Sequence, residues 1–197
     1  MSERPTKERI IEAAEELMLE KSFHSVGLTE LLKAVKVPKG SFYHYFDSKE
    51  QFGVEMLKHY VADASAYKRR LLLSSDAEAN PRQRLLTYLE TTIAKFLEHE
   101  GRCPCLVVKL ASEVASFSEP MRQVLTEGRK DWASITESLI REGVDMGSIA
   151  AGRDPASTAQ LIETLWTGAM QHALISRKAE PLRNAQQFIA NELIPTP

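Results

Sequence analysis

Two stretches of the chain hold residue types that can do chemistry. The first reads Lys39-Gly40-Ser41-Phe42-Tyr43-His44-Tyr45-Phe46-Asp47-Ser48-Lys49. So many hydroxyl, imidazole and ammonium groups make a poor core helix. They make a good surface for gripping a sugar-phosphate backbone and touching base edges. The second reads Arg102-Cys103-Pro104-Cys105-Leu106-Val107-Val108-Lys109. Proline at a first helical position would put Cys103 at the cap and Cys105 in the first turn. The positive end of a helix favours a thiolate, and so do Arg102 and Lys109, which lies four residues beyond Cys105 on the same face. Together these describe a reactive cysteine, an oxidant or electrophile sensor. Two other readings stay open. Cys105 can be a buried, inert thiol, or His99, Cys103 and Cys105 can hold a metal, although a fourth ligand is not evident. Cys103 could act as a second thiol, but cysteines two apart at a helix start rarely bridge without strain.

The elements that must position the first stretch are short. An apolar helix over 28–35 leads into the turn Val35-Lys36-Val37-Pro38, and a polar, basic helix over 39–45 follows. That is the outline of a helix-turn-helix reader of the DNA major groove. Lys33, Lys36, Lys39 and Lys49 stand against Asp47 alone between residues 33 and 49, while the whole chain carries −2. DNA responds to the local patch and not to the net charge. Pro38 has neither an N–H nor a capping oxygen, so the first backbone N–H groups of the second helix lack a side-chain cap that a phosphate could replace. Lys39 and Lys49 are expected at phosphates, Tyr43 and Tyr45 at the backbone, and Ser41 and His44 at base edges.

The chain has 197 residues and 43 % hydrophobic content, enough for a small DNA-binding domain and a larger one. The polar start Met1-Ser2-Glu3-Arg4-Pro5 does not read as a signal peptide, and no apolar run approaches the roughly 18 residues of a membrane span. The cysteine pair suggests a reducing compartment, and the cytoplasm is the expected location. No Gly-x-Ser-x-Gly elbow, phosphate loop, dinucleotide fingerprint or His-Glu-x-x-His pair is present, and the histidines, 24, 44, 59, 99 and 172, are scattered. Neither an enzyme nor a cofactor is expected.

Beyond residue 50 the pattern is helical throughout. Helices are predicted over 48–73, 81–99, 104–116, 118–142 and 156–178, and a last one from 180, with 143–154 as a loop. The fold class is therefore all-α with about nine helices. A three-helix DNA-binding domain over 1–50 is expected to precede an effector-sensing and dimerisation domain over 51–197. Leu161, Ile162, Leu165, Trp166, Ala169, Met170, Ala173, Leu174 and Ile175 form a stripe too wide for one buried face, so the helices over 120–142 and 156–178 are expected to make a homodimer. Trp166 and Met170, with Phe96 and Phe117, could instead line a pocket for a reversible apolar ligand, or could be plain core.

The segment from Gly40 to Phe52 resembles the DNA-binding signature of the TetR family of repressors. Ile10, Ala14, Leu17 and Phe23 fit that family's first helix, and Leu28, Leu31 and Leu32 fit its second. The resemblance departs at Gly27, where a capping threonine is usual, and in the turn, where the usual Ala-Gly-Val-Ser is Val35-Lys36-Val37-Pro38. It implies a dimeric regulator, most simply a repressor, that binds a palindromic double-stranded operator. The implied contacts are Thr29, Lys36, Lys39, Gly40, Ser41, Tyr43, His44, Tyr45 and Lys49. Later segments, among them Cys105-Leu106, Val108-Lys109-Leu110, Glu113-Val114, Ile175-Ser176-Arg177 and Glu180-Pro181-Leu182, resemble a subgroup of the family. There a cysteine matching Cys105 is implicated in sensing electrophiles and oxidants. Leu174 stands where the subgroup has a lysine associated with that cysteine. This weakens the expectation of a cysteine–lysine cross-link and leaves alkylation or oxidation of Cys105 open.

Overall fold

The computed structural model describes residues 5–74, 80–101 and 105–197. Among them are nine α-helices and no strand: α1 (Thr6–Glu20), α2 (Leu28–Ala34), α3 (Lys39–Tyr45), α4 (Lys49–Leu72), α5 (Pro81–Glu98), α6 (Leu106–Val114), α7 (Glu119–Asp145), α8 (Pro155–Ser176) and α9 (Glu180–Phe188). A π-helical segment, Ile189–Leu193, continues α9. The all-α expectation holds, and the starts of α4, α5 and α8 follow their signals. Ser48 Oγ accepts from the N–H of Gln51 (3.0 Å) and Gln51 Oε1 accepts from that of Asp47 (3.2 Å), a reciprocal cap for α4. Asn80 and Asp154 cap α5 and α8, each followed by a proline at the first helical position.

Two expectations are corrected. Cys105 is not inside the first turn of α6. It is the cap residue, with extended backbone (φ −125°, ψ 111°), and the helix begins at Leu106. Cys103, with Arg102 and Pro104, lies outside the described residues. The loop expected from residue 143 starts later, because α7 continues to Asp145. Gly143 does not stop the helix. A Cβ there would lie 2.5 Å from Ile149 Cδ1, so the glycine lets the following turn pack against the helix.

The chain divides into two compact units. One contains Met1–Asp63 and Cys105–Gly128. Its interior is built from Ile10, Ile11, Ala14 and Met18 of α1, Leu31 and Leu32 of α2, and the aromatic group Phe42, Phe46 and Phe52, whose ring centroids lie 5.0–5.4 Å apart. The other contains Ala64–Pro104 and Arg129–Pro197. Its core gathers Leu72, Leu85, Leu89, Ile135, Leu139, Ile162, Ile189 and Ile194, with Trp132, Leu165 and Trp166 packed against it. Within this unit the Lys68 ammonium is almost fully buried and pairs with the Glu163 carboxylate, which also accepts from Thr136 Oγ1 (2.8 Å).

Candidate nucleic-acid interface and thiol site

The turn between α2 and α3 is a Schellman closure. The N–H of Lys36 donates to the carbonyl of Lys33 (3.2 Å), and that of Val37 to the carbonyl of Leu32 (3.0 Å). This geometry needs a left-handed residue after the helix, and Lys36 supplies it at φ 55°, where glycine is the residue without a steric penalty. The guanidinium of Arg9, from α1, donates to the carbonyl of Val35 (2.9 Å) and ties the turn to the first helix. Sequence reasoning missed Arg9, since nothing in its spacing marks a partner 26 residues away.

One residue of α3, Phe42, is buried and anchors the helix. Lys36, Lys39, Gly40, His44 and, on α2, Thr29 are exposed, Tyr43 exposes 56 % of its surface, and Ser41 and Tyr45 are half-buried. A Cβ on Gly40 would meet nothing within 4 Å, so nothing inside the protein demands a bare backbone there. No side chain caps the start of α3, as Pro38 requires. Lys49, at the start of α4, is half-buried. Its ammonium lies over the Phe23 ring, 5.0 Å from the centroid, and donates to the carbonyl of His24 (3.4 Å). Partial burial pushes its pKa below the usual lysine range, with the Glu113 carboxylate opposing.

Cys105 is half-buried and carries a reduced thiol. Its own carbonyl accepts from Lys109 (3.1 Å), and the N–H of Leu106, one of the amides the helix leaves open, donates to the Tyr60 hydroxyl of α4 (3.0 Å). The Lys109 ammonium, expected to act on the thiol, donates to the carbonyl of Leu19 at the end of α1. One turn further on, Glu113 accepts from the backbone N–H groups of Phe23 (3.1 Å) and His24 (2.9 Å). Burial works against its charge, but these hydrogen bonds and the His24 ring outweigh it and hold the carboxyl below the usual carboxylate range. Tyr60 and Glu113 escaped sequence reasoning. The one available signal was the spacing of Lys109 and Glu113 on a common face of α6.

Trp166 is half-buried against the core of its unit and Met170 is fully buried. Phe117, grouped with them from sequence, stacks instead on Phe23 (5.8 Å between centroids) and meets His24 edge-on (4.3 Å). Among the described residues no three His, Cys, Asp or Glu side chains are grouped to hold a metal ion, and no helix is long and apolar enough to cross a membrane.

A buried-aromatic anchor, an exposed polar helix and a closed turn before it define a helix-turn-helix head on a helical protein. The chain belongs to the TetR family of bacterial regulatory proteins: residues 10–56 match that family's model, and residues 81–189 match the tetracyclin repressor-like C-terminal domain. It is therefore a regulator and not an enzyme. It is 40 % identical over 197 residues to the transcriptional repressor NemR of Escherichia coli, covering 100 % of this chain and 97 % of that one. The crystal structure of reduced NemR superposes with a TM-score of 0.88 at 38 % identity, over 98 % of this chain and 99 % of that one. The transcriptional regulator AcuR of Cereibacter sphaeroides is 33 % identical, over 89 % of this chain and 79 % of its own length. A cysteine mutant of the regulator CifR, solved with a 26-bp operator duplex, has a TM-score of 0.76 at 25 % identity, over 95 % and 98 % of the two chains.

Proposed function

We propose that the chain is a cytoplasmic repressor that binds a palindromic operator as a homodimer and lets go when Cys105 is modified. The observation that carries the reading is α3: a helix pinned by Phe42 alone, with Lys39, Gly40, Tyr43 and His44 facing solvent. Lys36 and Lys39 pair with phosphates, Tyr43 and Tyr45 bond the sugar-phosphate backbone, and Ser41 and His44 read base edges, with Thr29 and Lys49 at the flanks. Lys49 acts chiefly through α4, since its ammonium is already turned to His24.

The release step is supported by the place of Cys105. A half-buried thiol at a helix cap is open to reagents, and an adduct adds volume at a packed helix start, where overpacking costs roughly 1–3 kcal/mol. That is enough for roughly a ten- to hundredfold loss of operator affinity, since about 1.4 kcal/mol is tenfold. The kinship to a repressor whose reduced form was crystallised points the same way. The test is operator release after N-ethylmaleimide or hypochlorite treatment of the parent, Cys105→Ser and Cys103→Ser. The reading expects Cys105→Ser to stay bound. If it releases like the parent while Cys103→Ser does not, the trigger is Cys103; if both release like the parent, Cys105 is not needed and a reversible ligand near Trp166 and Met170 becomes the better reading.

A further inference from the structure

Residues 23 and 24, in the link between α1 and α2, are held from three sides within one compact unit. From α6, Glu113 accepts with Oε2 from the N–H of Phe23 and with Oε1 from that of His24, and the His24 ring nitrogen Nδ1 lies 3.0 Å from the same Oε1. Phe117, just beyond α6, packs on both rings. From the start of α4, Lys49 donates to the His24 carbonyl and covers the Phe23 ring. At the other end of the α6 face Lys109 holds the Leu19 carbonyl. The position is also tight. A Cβ on Gly53 of α4 would sit 2.7 Å from the Phe23 ring and 2.8 Å from Met121.

The geometry points to Glu113 as a positioning residue, a latch that carries a displacement of α6 to the DNA-reading head. While its carboxylate holds both amides, the 23–24 segment, which ends four residues before α2, is fixed between α6 and Lys49, which lies four residues after the end of α3. A carboxylate accepts from both N–H groups at once, and such charge-assisted bonds are the strong kind. A shift of α6 withdraws the acceptor and leaves two backbone donors unmatched, so the link must move with it or lose its order. This rests on the proposed reading of α3 as the DNA-contacting helix and Cys105 as the trigger at the head of α6.

The variant to make is Glu113→Gln, which keeps the shape but turns an NH2 toward one of the two amides. Its operator affinity is measured by fluorescence anisotropy on a duplex selected by the parent protein from a random pool, before and after N-ethylmaleimide, alongside the parent and Cys105→Ser. Thermal unfolding is followed in parallel. The latch predicts that Glu113→Gln unfolds within about 3 °C of the parent yet binds about tenfold more weakly, a loss of order 1.4 kcal/mol. It also predicts that alkylation then adds less than about a twofold further loss, against at least about tenfold in the parent. Parent-like affinity and parent-like release would overturn the latch, and so would a loss of affinity matched by a large fall in melting temperature. A parent that ignores N-ethylmaleimide while Glu113→Gln binds weakly at unchanged stability would sink the thiol reading and leave the latch standing.

Discussion

Lys36 holds a left-handed backbone, φ 55°, in a position where glycine carries no penalty. The strain of a side chain there is about 1–2 kcal/mol. Lys36→Gly should therefore raise stability by up to about 1 kcal/mol, less the entropy glycine adds to the unfolded chain. It should also lower operator affinity and reduce the salt slope by roughly one per half-site, about two for the dimer on a palindrome, because a phosphate partner is gone from each head. Chemical denaturation and binding at several salt concentrations read the two effects separately, and an unchanged slope would remove Lys36 from the interface. A second residue-scale test concerns His59, whose Nδ1 lies 2.9 Å from Glu15 Oε1. Burial disfavours the charged ring, but the Glu15 hydrogen bond and the Glu15, Asp63 and Glu12 charges outweigh it and raise the pKa. A folded pKa above the unfolded one gives stability that is complete below about pH 6.5 and lost as pH rises through the folded value. Urea midpoints of the parent should fall between about pH 6 and pH 8, and His59→Gln should flatten that decline.

Helices depend on each other through the buried pair that joins α4, α7 and α8. The Lys68 ammonium, 3 % exposed, has the Glu163 carboxylate as its counter-charge, and Thr136 adds a hydrogen bond to the same oxygen. Glu163→Ala strands a charge in the interior, which costs roughly 3–5 kcal/mol. For a chain of this size that is a fall in melting temperature of roughly 6–20 °C. The companion Lys68→Met, Glu163→Ala double variant should recover much of the loss, and a double variant no better than the single one would refute the pairing argument. Such partners far apart along the chain were illegible in the sequence, because the spacing of Lys68 and Glu163 marks no relation between them. What was legible was local. The Asn80-Pro81 and Asp154-Pro155 starts, the aromatic anchor Phe42 and the uncapped Pro38 each follow from chemistry within a few residues. The proline rule at Pro104 sets Cys105 two positions too far into its helix, which opens at Leu106. Glu113 could not be assigned its role, since its partners are backbone N–H groups about ninety residues away.

A single reading head meets too few bases to select one site in a genome, and two heads on half-sites about 34–36 Å apart solve that problem. The proposed dimer surface includes α8, expected from its wide apolar stripe to pair two chains together with α7. Leu161 exposes 54 % and Ile175 84 % on α8, and Phe188 exposes 51 % on α9. Large apolar side chains left open on the proposed dimer helix are the ones a partner would cover. The proposed homodimer buries them, at about 25 cal/mol per Å² of apolar area removed from water. A carboxylate placed among them has no counter-charge and must be stripped of water or keep the chains apart. Leu161→Glu should then weaken the dimer by several kcal/mol, on the order of a thousandfold. Light scattering at micromolar concentration should change from twice the 22.1 kDa chain mass to the mass of one chain. Circular dichroism should be unchanged, because Leu161 does not belong to the core of its own unit. Binding to a palindromic duplex should drop to that of an isolated half-site, with the salt slope roughly halved as one set of phosphate contacts disappears. A folded Leu161→Glu monomer that still bound the palindrome with parental affinity would mean that α8 is not the dimer surface and that each head acts alone.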